Sequence, residues 1–395
     1  MRTMMPAVLL LGLVACPGGS PIGDGGAGDG GSPPDGAPSD GGCPAVTTVL
    51  DNVSAWGIQL SGNEIVFVDD AAGPLFYQGS TNHTRALRKV RTDGTGDTVL
   101  YTPMQGFQLN DFMLSGSTIY FLESERLMSG SEQTRVYSLP VSGGTPQLIK
   151  LHDDPSNGFP GDRADAIVAV DADAAYLVRN ILSPASLFRM PLTGGAETIV
   201  FKGAIDTRPQ LRGTDFYFIT SAFPGMTNFD GIGKVAASAN MGTPTQVGMA
   251  YCRQHLALGD WGFGCAGGQP TSARHVFKYD ATGANGVDLF QIVPDNAGGS
   301  AYLGPNDGVG LYVAKDHDPA GRAPIYRVPL AGGPAAVVAC DRGQIKQRGA
   351  YFSSGSWNSA FTNGLDMFLA GSELYWAERR NEAGTVRTAI YKAAK

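Results

Sequence analysis

Three stretches decide the fold of this chain: Val136-Tyr-Ser-Leu-Pro-Val-Ser-Gly-Gly144, Leu187-Phe-Arg-Met-Pro-Leu-Thr-Gly-Gly195 and Ile325-Tyr-Arg-Val-Pro-Leu-Ala-Gly-Gly333. Each is a short apolar run closed by a Gly-Gly turn, and a second apolar run follows. That pattern reads as a β-hairpin. The first two copies start 51 residues apart, which implies an array of equivalent supersecondary units. Pro140, Pro191 and Pro329 fall at one repeated place. Proline cannot donate to a strand ladder, so each must mark a strand end or bulge.

A second phrase precedes each hairpin. Leu60-Ser-Gly-Asn-Glu-Ile-Val-Phe67, Leu114-Ser-Gly-Ser-Thr-Ile-Tyr-Phe121, Leu211-Arg-Gly-Thr-Asp-Phe-Tyr-Phe218 and Leu369-Ala-Gly-Ser-Glu-Leu-Tyr-Trp376 are its clearest copies. Each combines an apolar strand, a tight turn and a strand of aromatic and β-branched residues. Weaker copies fall at Val170 to Leu177, Leu258 to Phe263 and Leu303 to Val313. Both phrases together give four strands per unit, here named a to d from the axis outward. Seven such units predict an all-β, seven-bladed β-propeller, with six blades as the rival count. The last unit has no strand d before Lys395. The orphan strand Ala45 to Leu50 is expected to fill that place and remove an unpaired sheet edge.

The ends of the chain carry other information. Met1-Arg2 precedes an apolar run from Ala7 to Ala15 that is too short to span a bilayer, which reads as a signal peptide over residues 1–15. Leu13-Val14-Ala15-Cys16 resembles a bacterial lipobox and implies acylation of Cys16. The domain plan is therefore a signal peptide (1–15), a lipidated Cys16 with a Gly/Pro/Ser/Asp linker (16–42) and a propeller (43–395). A linker of that composition cannot form a core. These readings predict an exported protein anchored to a membrane of the bacterial envelope, periplasmic or surface-exposed.

The net charge is −7, and no basic cluster exists, which argues against nucleic-acid binding. Four cysteines remain besides Cys16. In an exported chain they favour disulfides, with Cys252–Cys265 the expected pair and Cys43 with Cys340 left over. Their spacing matches no zinc pattern. The acidic loop from His152 to Asp165 has a calcium-like composition, but Pro155 falls where a loop of that kind wants an oxygen ligand. No resident cofactor is expected, calcium being the one ion with any support. Asp316-His-Asp318, His83 and His275 read as loop or structural residues. Asn82-His-Thr84 matches a glycosylation sequon by accident.

The repeated phrases resemble the TolB, YWTD and NHL-type β-propellers over roughly Ala45 to Lys395. Glu373-Leu-Tyr-Trp-Ala-Glu378 is similar to the YWTD core, with Ala377 and Glu378 in place of its Thr-Asp. The resemblance implies a rigid ring with a central channel, of a kind that binds proteins, peptides or sugars. It implies little about activity, because function lives in sites grafted on such folds. Residues at or just before the innermost strands form the candidate axial site: Asp111, Asp165, Arg208, His255 and Asp366. A second candidate is the connector from Cys340 to Gly364, where Tyr351, Phe352, Trp357 and Phe361 stand among small polar residues. Such mixtures suit binding loops. No nucleophile elbow, phosphate-binding loop or zinc-protease motif is present, and no catalytic residue is assigned. The expected function is a binding or interaction module. A metal-dependent hydrolase or lactonase using the axial ring is the alternative.

Overall fold

The computed structural model describes residues 44–70, 85–104, 107–126, 132–153, 164–179, 185–205, 207–220, 231–249, 255–258, 261–266, 275–280, 287–291, 301–315, 323–342, 344–345, 350–351, 357–358, 366–382 and 385–395. Every regular element among them is a β-strand.

The chain opens with β1 (Val46–Asp51). The first blade holds β2 (Ala55–Ser61), β3 (Glu64–Asp70), β4 (Arg85–Arg91) and β5 (Thr98–Tyr101). The second holds β6 (Phe107–Ser115), β7 (Thr118–Arg126), β8 (Glu132–Pro140) and β9 (Gln147–Asp153). The third holds β10 (Ala164–Val170), β11 (Ala174–Arg179), β12 (Ala185–Pro191) and β13 (Thr198–Gly203). The fourth holds β14 (Gln210–Arg212), β15 (Asp215–Thr220), β16 (Gly231–Ala236) and β17 (Thr245–Met249). The fifth holds β18 (His255–Leu258), β19 (Trp261–Ala266), β20 (His275–Asp280) and β21 (Val287–Gln291). The sixth holds β22 (Ala301–Asn306), β23 (Gly310–Lys315), β24 (Ala323–Pro329) and β25 (Ala336–Arg342). There follow β26 (Gln344–Ile345), β27 (Ala350–Tyr351), β28 (Trp357–Asn358), β29 (Met367–Ala370), β30 (Glu373–Glu382) and β31 (Thr385–Ala394). Consecutive strands within each blade pair antiparallel in simple order.

The seven equivalent units expected from the repeats are corrected to six four-stranded blades. The sheet that joins the chain ends is built differently. It has five strands, β1 beside β31 beside β30, with both β26 and β29 on the far edge of β30. Gln344 and Ile345 of β26 pair with Arg379 and Glu378, while β29 pairs with Glu373 to Trp376. The reason is the connector before β29. It takes up edge positions on a ten-residue strand that a four-residue β29 leaves open. Across this closing sheet, Val46 to Asp51 pair with Ala393 to Ala389.

The repeated phrases act as turn chemistry. Pro140, Pro191 and Pro329 are the last residues of β8, β12 and β24. Their carbonyls accept from the N–H of Gly143, Gly194 and Gly332. Both glycines of each pair have positive φ, for example +94° and +131° at Gly143 and Gly144, where a Cβ would be strained. The residue after each proline supplies the donor that proline lacks, so Val141, Leu192 and Leu330 bond back to the preceding a–b turn.

The core lies between sheets. Trp56, Val66 and Leu87 of the first blade pack on Phe112, Ile119 and Phe121 of the second. Leu122 and Val136 meet Leu177, Phe188 and Met190 of the third. The third then packs on Phe216, Phe218 and Val235 of the fourth. Val276 and Leu289 of the fifth meet Leu311 and Val313 of the sixth. The closing sheet packs through Trp376 on Tyr312 and Ile325 of the sixth blade, and through Tyr375, Ala377 and Ile390 on Phe67 and Val90 of the first. Apolar packing therefore runs across the joint between the two ends of the chain.

Candidate functional site

The loops that lead into the innermost strands place Asp111 on β6 and Arg208 just ahead of β14. The structure brings these two together. Arg208 Nη2 lies 2.7 Å from Asp111 Oδ2, with both side chains at most 3% exposed. Asp111 Oδ2 also accepts from the Ile167 N–H at 3.0 Å, and its Oδ1 from Phe112 N–H at 2.9 Å. Arg208 Nη2 donates to the Ile167 carbonyl as well. One carboxylate and one guanidinium thus join the second, third and fourth blades through β10. Asp366, at the head of β29, does the same at the chain joint, since its Oδ2 accepts the Gly57 N–H of β2 at 2.6 Å. Gly57 makes this possible. Its φ is +67°, and a Cβ there would sit 2.8 Å from Phe112 Cε1. Asp165 is the second residue of β10 and His255 the first of β18; their side chains lie outside the described set.

Sequence reasoning missed other members of this ring. Gln59 of β2 donates from Nε2 to the Phe112 carbonyl at 3.1 Å and accepts from Leu114 N–H at 2.9 Å. Its amide imitates a strand edge across two blades. Arg85 Nη1 donates to the Leu109 carbonyl at 3.1 Å. Thr207 Oγ1 accepts from Ile219 N–H at 2.9 Å. These residues carry no motif, because a buried amide, guanidinium or hydroxyl needs only a neighbouring backbone group.

The second candidate lies beside strands that carry part of the first. In the connector between β26 and β29, β27 pairs with β28 through Tyr351 and Trp357. Strand β27 lies against both β6 and β10, the innermost strands of the second and third blades. Phe352 and Phe361 lie outside the described residues. So do Cys16, Cys43 and Cys252, residues 1–42, His83, Asp316-His-Asp318 and most of the acidic loop. Cys265 stands on β19 opposite Val276, and Cys340 is half-buried on β25.

His152, from the start of the acidic loop, is buried on β9. Its Nδ1 is 3.0 Å from Arg179 Nη2 and its Nε2 is 3.3 Å from Glu197 Oε1. Burial, reinforced by Arg179 and Lys150, pushes the imidazole down to about 3. It therefore stays neutral and packs edge-on to Phe188, over whose ring the guanidinium of the Arg179–Glu197 ion pair also lies. Among the described residues, no group of three His, Cys, Asp or Glu side chains could hold a metal ion.

At the opposite ends of the strands a recurrent pair appears. The base in the third place of the strand-c phrase meets an acid of the a–b turn: Lys89 with Glu64 at 2.8 Å, Lys234 with Asp215 at 3.1 Å, Arg327 with Asp307 at 2.8 Å and Lys392 with Glu373 at 3.0 Å. The signal was present in the repeated phrase as the base of Ile-Tyr-Arg-Val and its relatives.

No family model matches the chain, and no curated protein matches it by sequence. Solved structures match its fold. The β-propeller domain of the Trilobed protease from Pyrococcus furiosus aligns over 88% of this chain and 94% of its own, with 10% identity and a TM-score of 0.53. An oligogalacturonate lyase in complex with manganese aligns over 89% of this chain and 93% of its own, with 12% identity and a TM-score of 0.55. The acylaminoacyl peptidase of Pyrococcus horikoshii aligns over 88% of this chain at 10% identity and a TM-score of 0.51, and this chain spans about half of that peptidase's length, 52%. At such identities the likeness is one of fold, a β-propeller, and the fold accommodates both binding and catalysis.

Proposed function

We propose that this protein is an exported, lipid-anchored propeller that binds a protein, peptide or carbohydrate partner at the axial mouth. The observation that carries this reading is the placement of the β27–β28 hairpin against β6 and β10. It brings the connector that carries Tyr351 and Trp357 beside the innermost strands of the second and third blades. Asp111 and Arg208 are engaged with each other and with backbone groups of neighbouring sheets, and Asp366 with the Gly57 N–H. Their charges hold the ring together, which favours recognition over hydrolysis at this mouth. The rigid ring supports the hairpin as a scaffold supports a binding loop.

The binding test compares the wild-type protein with a Tyr351→Ser, Trp357→Ser double variant on the same glycan array and immobilised peptide library. Loss of aromatic anchors should weaken the wild-type hits on the order of thirtyfold. Unchanged hits in the double variant would place the partner elsewhere.

The anchor rests on the lipobox-like Leu13-Val14-Ala15-Cys16 and the linker behind it. Acyl chains at one terminus give stable membrane attachment where a single weak signal does not. A Cys16→Ala protein should move from the membrane pellet to the soluble fraction. Retention in the pellet would mean a different attachment. The Cys252–Cys265 disulfide belongs to the same exported setting, and peptide mapping without reduction tests it.

A further inference from the structure

Cys340 lies half-buried on β25, the outermost strand of the sixth blade, and it is disulfide-bonded. The side chain that holds it lies outside the described set. Cys265 stands on β19, which packs on β22, and two further strands separate β22 from β25. Cys252 falls between β17 and β18, in the passage from the fourth blade to the fifth. Cys43 is the first residue of the compact unit that holds the ring, and it comes shortly before β1.

The register of the outermost strands decides among them. The base in the third place of each strand-c phrase pairs with one outer-strand position: Lys89 with Thr98, Arg189 with Thr198, Arg327 with Ala336 and Lys392 with Thr47. Gly94 and Gly194 each stand four residues before that position. A Cβ on Gly94 would lie 2.5 Å from the Val49 carbonyl oxygen of the closing sheet, and one on Gly194 3.7 Å from the Ile149 carbonyl oxygen of the second blade. In the fourth blade the Gly242 N–H bonds the Val200 carbonyl of the third at 2.9 Å. Val49, Ile149 and Val200 are each the bulged residue of an outermost strand. The turn before each outermost strand therefore rests on the bulge of the blade before it.

In the closing sheet the residue four before Thr47 is Cys43, and the bulged residue of the preceding sixth blade is Val338. Cys340 is two residues beyond Val338 on the same strand. Val338 and Ala339 share a cluster with Ala393 of β31, and Val46 packs against that cluster. We propose that Cys43 and Cys340 form a disulfide that staples the entry to β1 onto the sixth blade and so locks the ring at its joint. Residues two apart on a strand are about 6.6 Å apart, and bridged cysteines have Cα atoms roughly 4.4–6.8 Å apart, so a residue resting on the Val338 carbonyl is within reach of Cys340. Gly94 and Gly194 serve left-handed turns. No chain joins β31 to β1, so position 43 is released from that turn and admits a side chain.

The bond forms by loss of two protons and two electrons from two thiols. The electron acceptor is a disulfide oxidant: one cysteine thiolate attacks it, and the other cysteine displaces the mixed disulfide, leaving the oxidant as two thiols. The bond rests on the exported reading only for the oxidising compartment it needs.

The test is peptide mapping without reduction of the full mature protein, alkylated as purified and again after reduction and reoxidation with oxidised glutathione. Both maps should join the Cys43 peptide to the Cys340 peptide. In a Cys252→Ser, Cys265→Ser background, reduction should lower the melting temperature by about 5–10 °C and speed hydrogen exchange at the β1 amides. Adding Cys43→Ser or Cys340→Ser to that background should give the same lower melting temperature, now indifferent to reductant. Cys340 joined to Cys252 or Cys265, or recovered as a free thiol after glutathione treatment, overturns the pairing. Equal melting of the oxidised and reduced background protein overturns the staple. Oxidation in the test tube makes these results independent of the Cys16→Ala fractionation, so failure of the exported reading and failure of this bond are separable.

Discussion

A chain shortened to begin at Asn52 should melt at a much lower temperature than the mature protein and should aggregate. The cause is the edge of β31. Val46 to Asp51 pair along it from Ala393 to Ala389, and without β1 that row of N–H and C=O groups is open to other chains. Val49 is buried in the cluster that joins the closing sheet to the first blade, with Leu50 packed against it, and Val46 packs against the cluster that joins the closing sheet to the sixth blade. Several ladder bonds and these side chains together amount to on the order of 5–10 kcal/mol. That is comparable with the whole stability of a typical domain, about 5–15 kcal/mol. The contact is close as well: the Gly94 turn of the first blade approaches so near that a Cβ there would lie 2.5 Å from the Val49 carbonyl oxygen. Removing residues 17–42 alone should leave the melting temperature unchanged. Equal melting of both truncated chains would show that β1 contributes nothing to closure.

Much of this architecture was legible because hairpin chemistry is local. The Pro and Gly-Gly of each strand-c phrase specify a strand end and a left-handed turn within five residues, and Gly143, Gly194 and Gly332 adopt the positive φ that this requires. The pairing of β1 with β31 was legible for a different reason: a missing strand d at one end and an orphan strand at the other admit one economical solution. The blade count was misread where locality fails. Nothing in Glu373-Leu-Tyr-Trp-Ala-Glu378 announces that β30 runs ten residues, or that a connector strand will take part of its edge. The candidate axial residues were legible as polar groups at the heads of inner strands, but not their partners. Asp111 and Ile167 are 56 positions apart, and the rotation of one blade against the next brings them together.

The Asp111–Arg208 pair gives the second large effect. Asp111→Ala would leave the Arg208 guanidinium buried with its carboxylate gone, and would strip the Ile167 and Phe112 N–H groups of their acceptor. Removing one member of a buried ion pair typically destabilises by about 3–5 kcal/mol, because the remaining charge is uncompensated. The orphaned amides add to that loss. Arg208→Met should be milder. It removes the charge that needs compensation and keeps an apolar stem, although Asp111 retains two N–H donors to stabilise it alone. A double variant, Asp111→Leu with Arg208→Met, should recover part of the loss, since well-packed apolar replacement of a buried pair is often neutral or better. Because the pair joins three blades through β10, urea unfolding of Asp111→Ala should show an early transition in which the second, third and fourth blades lose protection from hydrogen exchange before the closing sheet does. If Asp111→Ala unfolds at the wild-type midpoint with uniform exchange, the carboxylate is not a clamp, and its burial beside Arg208 would call for a role at the axial mouth instead.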